Sequence, residues 1–183
     1  MIIVYTQMYS TLSVFLNRVH GIPAQGFGYL MSMNAAMVVI MQFWITRRIK
    51  KFPPMLMMMI ASALYGIGYT LFGLVDTYGF FMLAMATITI GEMLHVPVAQ
   101  ALVAYFAPED MRARYMAAYG LGWALPNSVA PTLAGIVMDN YNPRMVWYLA
   151  GVLSLVAVTA FGFLYMHTKD RFKVSAVVEE VQA

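Results

Sequence analysis

The chain contains no cysteine, which excludes a disulfide framework and any thiolate metal site. Charge is scarce as well. Asp, Glu, Lys and Arg make up 10% of the 183 residues, where a soluble domain carries roughly a quarter. The formal net charge of +3 is small, and its basic residues fall in short clusters rather than along one soluble face. That argues against a nucleic-acid partner. The His-Glu-x-x-His pattern of zinc proteases is absent, and Ser32, Ser62, Ser128 and Ser154 lack a nucleophile setting beside a histidine. Neither hydrolase chemistry has its residues, so no enzyme is expected. The 18 methionines have no Cys or converging His with which to build a copper site. Met55, Met57, Met58 and Met59 read as lipid-facing filler, and no metal or cofactor is expected. The first apolar stretch lacks a basic leader segment and ends at Asn17-Arg18 without a small-residue cleavage site, so no cleavable signal is expected.

What is present is hydrophobic sequence, 62% of the chain, in runs long enough to matter. A helix needs about 20 residues to cross a bilayer core. Six stretches are predicted as spans, over residues 1–16, 27–46, 55–75, 79–106, 116–138 and 146–166. Helices are required because lipid offers no partner to open backbone groups. The fold class is therefore an all-α integral membrane protein: a six-helix bundle over 1–168 and a polar tail over 169–183. The connections are short and carry turn residues, among them Gly21-Ile22-Pro23, Pro53-Pro54 and Asn140-Tyr141-Asn142-Pro143. The lipid bilayer is the first expected partner.

Orientation follows from Lys and Arg. One set of ends holds Arg47, Arg48, Lys50, Lys51, Arg112, Arg114, Lys169, Arg171 and Lys173, and the opposite set only Arg18 and Arg144. By the positive-inside rule the first set is cytoplasmic, which puts both termini on the cytoplasmic side of the cell membrane. Trp44, Trp147, Tyr105 and Tyr165 fall near the expected interfaces, where amphipathic rings anchor. Arg112 and Arg114 follow Glu109 and Asp110 and suit ion pairs within that loop.

Three stretches resemble the C-terminal six-helix half of the major facilitator superfamily. Trp44 through Pro54, with its Arg47-Arg48 and Lys50-Lys51 pairs, resembles the second copy of the family's basic loop motif, without that motif's Gly and Asp. Gly91-Glu92-Met93-Leu94-His95-Val96-Pro97, followed by Ala107 through Tyr115, resembles the tenth helix and next loop of bacterial multidrug-type exporters. Ser128 through Gly135 resembles a worn antiporter motif, with Ala130 and Ala134 in place of glycines. The resemblance implies one half of a twelve-helix, secondary active exporter of small, largely apolar compounds, coupled to protons. It implies a truncated or partial chain, completed by a partner half or by a second copy as a homodimer. The alternative is an accessory or structural membrane subunit that pairs with another helical bundle and transports nothing alone.

Within the spans, Glu92 stands out as the acid placed near mid-membrane. Twelve residues beyond Phe80, it lies about 18 Å along its helix. Intramembrane acids are costly and mark ion or proton paths. His95 follows at i+3, on a shared helix face, so Glu92 and His95 are the proton-coupling candidates. Gln7, Tyr9, Asn34, Gln100, Trp123 and Asn127 are the substrate-cavity candidates, because the resemblance assigns their four helices to the cavity wall. The third and sixth helices, poor in polar residues, read as lipid-facing. Pro97, Pro126 and Pro131 each remove a backbone donor inside a helix and are expected to bend it. Gly120, Gly122 and Gly135 are expected to admit close helix approach.

Overall fold

A computed structural model describes residues 1–182, with side chains through Thr168. Six helices follow one another: α1 (Ile2–His20), α2 (Ala24–Ile49), α3 (Pro54–Leu74), α4 (Tyr78–Phe106), α5 (Arg112–Asn140) and α6 (Met145–Gln182), with one 3-10 turn over Glu109–Met111. Each predicted span has its helix. The helices outrun the apolar runs because a backbone helix continues past the hydrocarbon boundary until a cap or turn stops it. Gly21 ends α1 at φ +64°, and the Ile22 N–H bonds back to the Leu16 carbonyl at 3.0 Å. Pro54 opens α3 at a position where the missing N–H costs nothing. The α6 backbone continues through Gln182; the side chains of the tail expected over 169–183 lie outside the described residues.

Five of the six helices, α2 to α6, are long and apolar enough to cross a membrane. Helix α1 falls short by composition, and the reason lies in its packing. Thr6, Gln7 and Thr11 are buried inside the bundle, so its polar residues face neighbouring helices.

The core gathers around α3, which packs on α4 and α6, while α1 lies on α5 and α2 on α4. This corrects the lipid-facing assignment of α3. Tyr65, Tyr69 and Phe72 are buried with Phe81, Met85 and Ile88 of α4 and Phe15 of α1. Close approach comes from α3 glycines and their partners. A Cβ on Gly68 would meet the Ile88 side chain, one on Gly91 would lie 3.1 Å from the Ala61 carbonyl, and one on Gly151 would meet Thr70. Gly120, Gly122 and Gly135 have open space there, because α5 turns little of itself inward: only Ala130, Ala134 and Met138 of that helix are buried. Two further expectations are corrected. Met55, Met57 and Met58 are buried, the latter two against Ile49, Val98 and Ala99. Trp147 anchors nothing at the surface; it is fully buried between Phe15, Tyr69 and Phe72.

The ends of the bundle differ in charge. At the end that carries Arg18 and Arg144, Arg18 pairs with Asp139 at 2.8 Å and Arg144 pairs with Asp76. His20 Nδ1 lies 3.7 Å from the same Asp76. These contacts tie the end of α1 to the α3–α4 and α5–α6 connections. At the basic end, Arg112 and Arg114 make no ion pair with Glu109 or Asp110 among the described residues.

His20 sits beyond the apolar span of α1, its ring edge-on to Phe15 and Phe81 at 5.1 and 4.9 Å. Burial pushes its pKa below the ordinary 6.5; Asp76 opposes that shift and Arg144 adds to it. The folded chain therefore binds this proton less readily than the unfolded chain. Its contribution to stability is complete above pH 6.5 and is lost as the pH falls below that value. Acidifying the detergent-purified chain from neutral pH is expected to lower its thermal midpoint by a few degrees, and His20→Phe is expected to flatten that dependence. An unchanged slope in the variant would assign the pH dependence to other groups.

Candidate functional site

The site is built from the residue the sequence marks out. Glu92 lies on α4, and both of its oxygens are engaged by other helices. Tyr5 of α1 donates its hydroxyl to Oε1 at 2.7 Å. Asn34 of α2 donates through Nδ2 to Oε2 at 2.9 Å, and its amide also reaches Thr89 Oγ1 at 2.9 Å. Thr89 passes its own proton to the Met85 carbonyl. Asn34 and Thr89 are buried, so every donor in this set has an acceptor, as burial demands.

The hydroxyls continue outward. Tyr5 and Tyr9 oxygens are 3.0 Å apart. The single Tyr5 proton is committed to Glu92, so Tyr9 is the donor. The order Tyr9 to Tyr5 to Glu92 runs from a half-exposed phenol to the carboxylate. Rings enclose the same place. Trp123 of α5 meets Tyr5 edge-on at 5.5 Å, and Tyr65 of α3 meets it at 6.5 Å. A carboxylate surrounded by aromatic faces has two uses: it can exchange a proton with the hydroxyl chain, or hold a cation that the rings also attract.

A second polar seam joins α1 to α5. Thr6 donates to Asn127 Oδ1 at 2.6 Å, and Gln7 Nε2 donates to the Ala130 carbonyl at 3.2 Å. Thr11 bonds the Gln7 side-chain oxygen. Of the sequence candidates, then, Glu92, Tyr9, Asn34 and Trp123 meet around Tyr5, and Gln7 and Asn127 line the adjacent seam. Gln100 does not join them; it is exposed, with no hydrogen bond among the described residues. His95 does not pair with Glu92 either. It is buried edge-on to Tyr65 at 5.8 Å and lines a separate cleft with Met58, Tyr119 and Phe161. Residues three apart differ by about 60° around a helix, and here that rotation carries His95 toward α3.

Tyr5 is the residue that the sequence reading misses. Its one signal is the i, i+4 spacing to Tyr9, two phenols on one helix face. Pro97 also has a partner that the sequence did not announce. A proline cannot donate to the carbonyl four residues before it, and that carbonyl, of Met93, accepts from Gln42 Nε2 of α2 at 3.2 Å. Pro97, Pro126 and Pro131 all lie inside continuous helices.

With this geometry in hand, the likenesses to other proteins fall into place. The family model of the Major Facilitator Superfamily matches residues 1–181. The chain is 28% identical over 175 residues to a Na(+), Li(+), K(+)/H(+) antiporter of Planococcus maritimus, which covers 91% of this chain and 39% of that protein. It is 29% identical over 135 residues to the uncharacterized MFS-type transporter YdeE of Escherichia coli, covering 72% of this chain and 33% of the relative. In fold it matches a POT family transporter crystallised with 5-aminolevulinic acid, at a TM-score of 0.75 and 16% identity, over 90% of this chain and 38% of that one. The chain thus spans about two fifths of the length of such relatives, or less. A match over nearly every residue, on an all-helical bundle with five apolar spans, has one meaning: the chain belongs to the Major Facilitator Superfamily of membrane transporters.

Proposed function

We propose that this bundle forms one wall of a secondary active transporter that exchanges protons for small, largely apolar compounds bearing a positive charge, as an exporter of the drug-efflux type. It acts as a carrier rather than as an enzyme, beside a second six-helix bundle in the cell membrane, with its basic ends cytoplasmic. The observation that carries the reading is the setting of Glu92: one carboxylate, donors from two other helices, and the rings of Tyr5, Tyr9 and Trp123 around it. Protonation removes the negative charge, so the charge-assisted bonds from Tyr5 and Asn34 weaken to ordinary neutral ones. Because those donors sit on α1 and α2, loading a proton on α4 loosens a tie between helices. A cation in the same place keeps the carboxylate ionised and the ties intact. One site then responds differently to its two ligands, as a coupled exchanger requires.

A second reading has its own support. The oxygens of Glu92, Thr89, Tyr5 and Tyr9 gather around the Asn34 amide, and hard cations favour oxygen ligands. The Planococcus relative is named for Na(+), Li(+) and K(+) exchange. Vesicles holding the transporter and an imposed pH gradient separate the two. A gradient discharged by a lipophilic cation such as tetraphenylphosphonium, and not by sodium or potassium, is the expected result. Discharge by the inorganic cations alone would establish the second reading.

A further inference from the structure

The basic end of the bundle carries a cluster of four cations at the close of α2 and in the turn after it. Among the described residues, Arg47, Arg48, Lys50 and Lys51 make no ion pair, whereas both arginines of the opposite end are paired. The first pair and Lys50 close the last turn of α2, where cations also complement the helix dipole. Beside them lies a cleft of about 260 Å³ between the end of α2, the start of α3 and the second half of α4. Its walls are apolar, formed by Ile49, Phe52, Val98 and Ala101; Lys50 lines it toward the basic end and Thr46 one turn deeper.

The local chemistry explains why the cleft exists. Gln42 is drawn to α4 by the Met93 carbonyl that Pro97 leaves free, at 3.2 Å, and also donates to Thr46 Oγ1 at 2.8 Å. This ties α2 to α4 one turn deeper in the bundle than the cleft. Thr46 thereby serves as an acceptor and retains its own O–H as a donor. Lys50, four residues after Thr46, shares its helix face, whereas Arg47, one residue on, is turned about 100° away. Phe43 and Trp44, one turn further in, are exposed, as rings at the headgroup boundary are. The cleft therefore lies at that boundary, with Lys50 on its headgroup side and Thr46 and Pro97 at its deeper end.

We propose that this cleft is a binding site for an anionic phospholipid, with its phosphate held by Lys50 and the upper part of one acyl chain running inward against Ala101 and Val98. A zwitterionic lipid offers the same chain but cancels the charge that the cations attract. Arg112 and Arg114, on the other basic loop, supply the control. The site rests on the end of α2 and does not depend on what the transporter carries.

The full chain, purified and returned to phosphatidylcholine bilayers doped with spin-labelled phosphatidylglycerol, gives the test by electron paramagnetic resonance. A motionally restricted phosphatidylglycerol population is expected, preferred over spin-labelled phosphatidylcholine by about fivefold for each engaged cation. Lys50→Gln should remove about one such factor, while Arg114→Gln leaves the preference intact. Ala101→Phe, an exposed position, should fill the cleft and reduce the restricted population although every charge remains. Full preference in Ala101→Phe would mean diffuse attraction to a basic surface and would overturn the site. So would unchanged preference in Lys50→Gln, or complete displacement by inorganic phosphate, since the acyl chain would then contribute nothing.

Discussion

Replacing Glu92 by Gln is expected to reduce proton-coupled exchange to the level of protein-free vesicles while the protein still folds. The substitution keeps the size and one acceptor oxygen, so the Tyr5 hydroxyl at 2.7 Å retains its partner. The other side fares worse. The new amide N–H₂ faces the Asn34 amide N–H₂, two donors in contact, unless Asn34 turns over and gives up Thr89. Losing one such bond costs about 1 kcal/mol, too little to unfold the bundle. What disappears is what a neutral amide cannot supply: it neither binds and releases a proton nor offers a negative charge to a cation. Tyr5→Phe is the milder companion. It leaves the carboxylate but breaks the hydroxyl chain from Tyr9, so exchange should slow without vanishing. Everted vesicles assayed for discharge of a pH gradient report both variants. Normal coupled exchange in Glu92→Gln would remove Glu92 from the mechanism.

The largest stability effect is expected at Trp147. Trp147→Ala should destabilise the bundle by about 3 to 5 kcal/mol, the usual range for emptying an aromatic site in a core. The indole is fully buried, stacked on Tyr69 at an interplanar angle of 4° and flanked by Phe15 and Phe72 at 5.2 and 5.3 Å. Yet its Nε1 is buried with no hydrogen-bond partner among the described residues, and an unmade bond of that kind costs about 1 to 3 kcal/mol. Trp147→Phe therefore removes a penalty together with some contact area, and should stay much closer to the native protein than the alanine variant. Unfolding in mixed micelles by sodium dodecyl sulfate measures both. If Phe is as damaging as Ala, the indole N–H has a partner after all, and the orphaned-donor argument fails.

The two residues differ in how far the sequence discloses them. Glu92 is visible because a charge in the middle of an apolar run is expensive wherever the helix points, so its presence alone signals a use. Trp147 is not. An aromatic near the end of a span fits an interface as well as a core, and only the packing of α6 on α3 turns it inward. The same holds for Met57 and Met58, which read as lipid-facing and are buried under Ile49, Val98 and Ala99. His95 teaches the point within one helix. Spacing brings it near Glu92 along the sequence, but the neighbour of its ring is Tyr65.

The sequence by itself determined that there are six helices, roughly where each begins and ends, which end of the bundle is basic, and which family the pattern resembles. Those properties follow from local sums: apolar length against bilayer thickness, turn residues against helix propagation, and charge counts per connection. Only the tertiary structure decided that Tyr5 and Asn34 hold the two oxygens of Glu92 across 87 and 58 residues of chain, and that Gln42 answers the proline in α4. It also decided that α3 rather than α5 supplies the glycines of close packing. Each of these depends on how a helix is rotated about its axis and where it crosses its neighbour. A rotation of one residue's worth, about 100°, leaves the hydropathy of a span unchanged and exchanges every contact it makes.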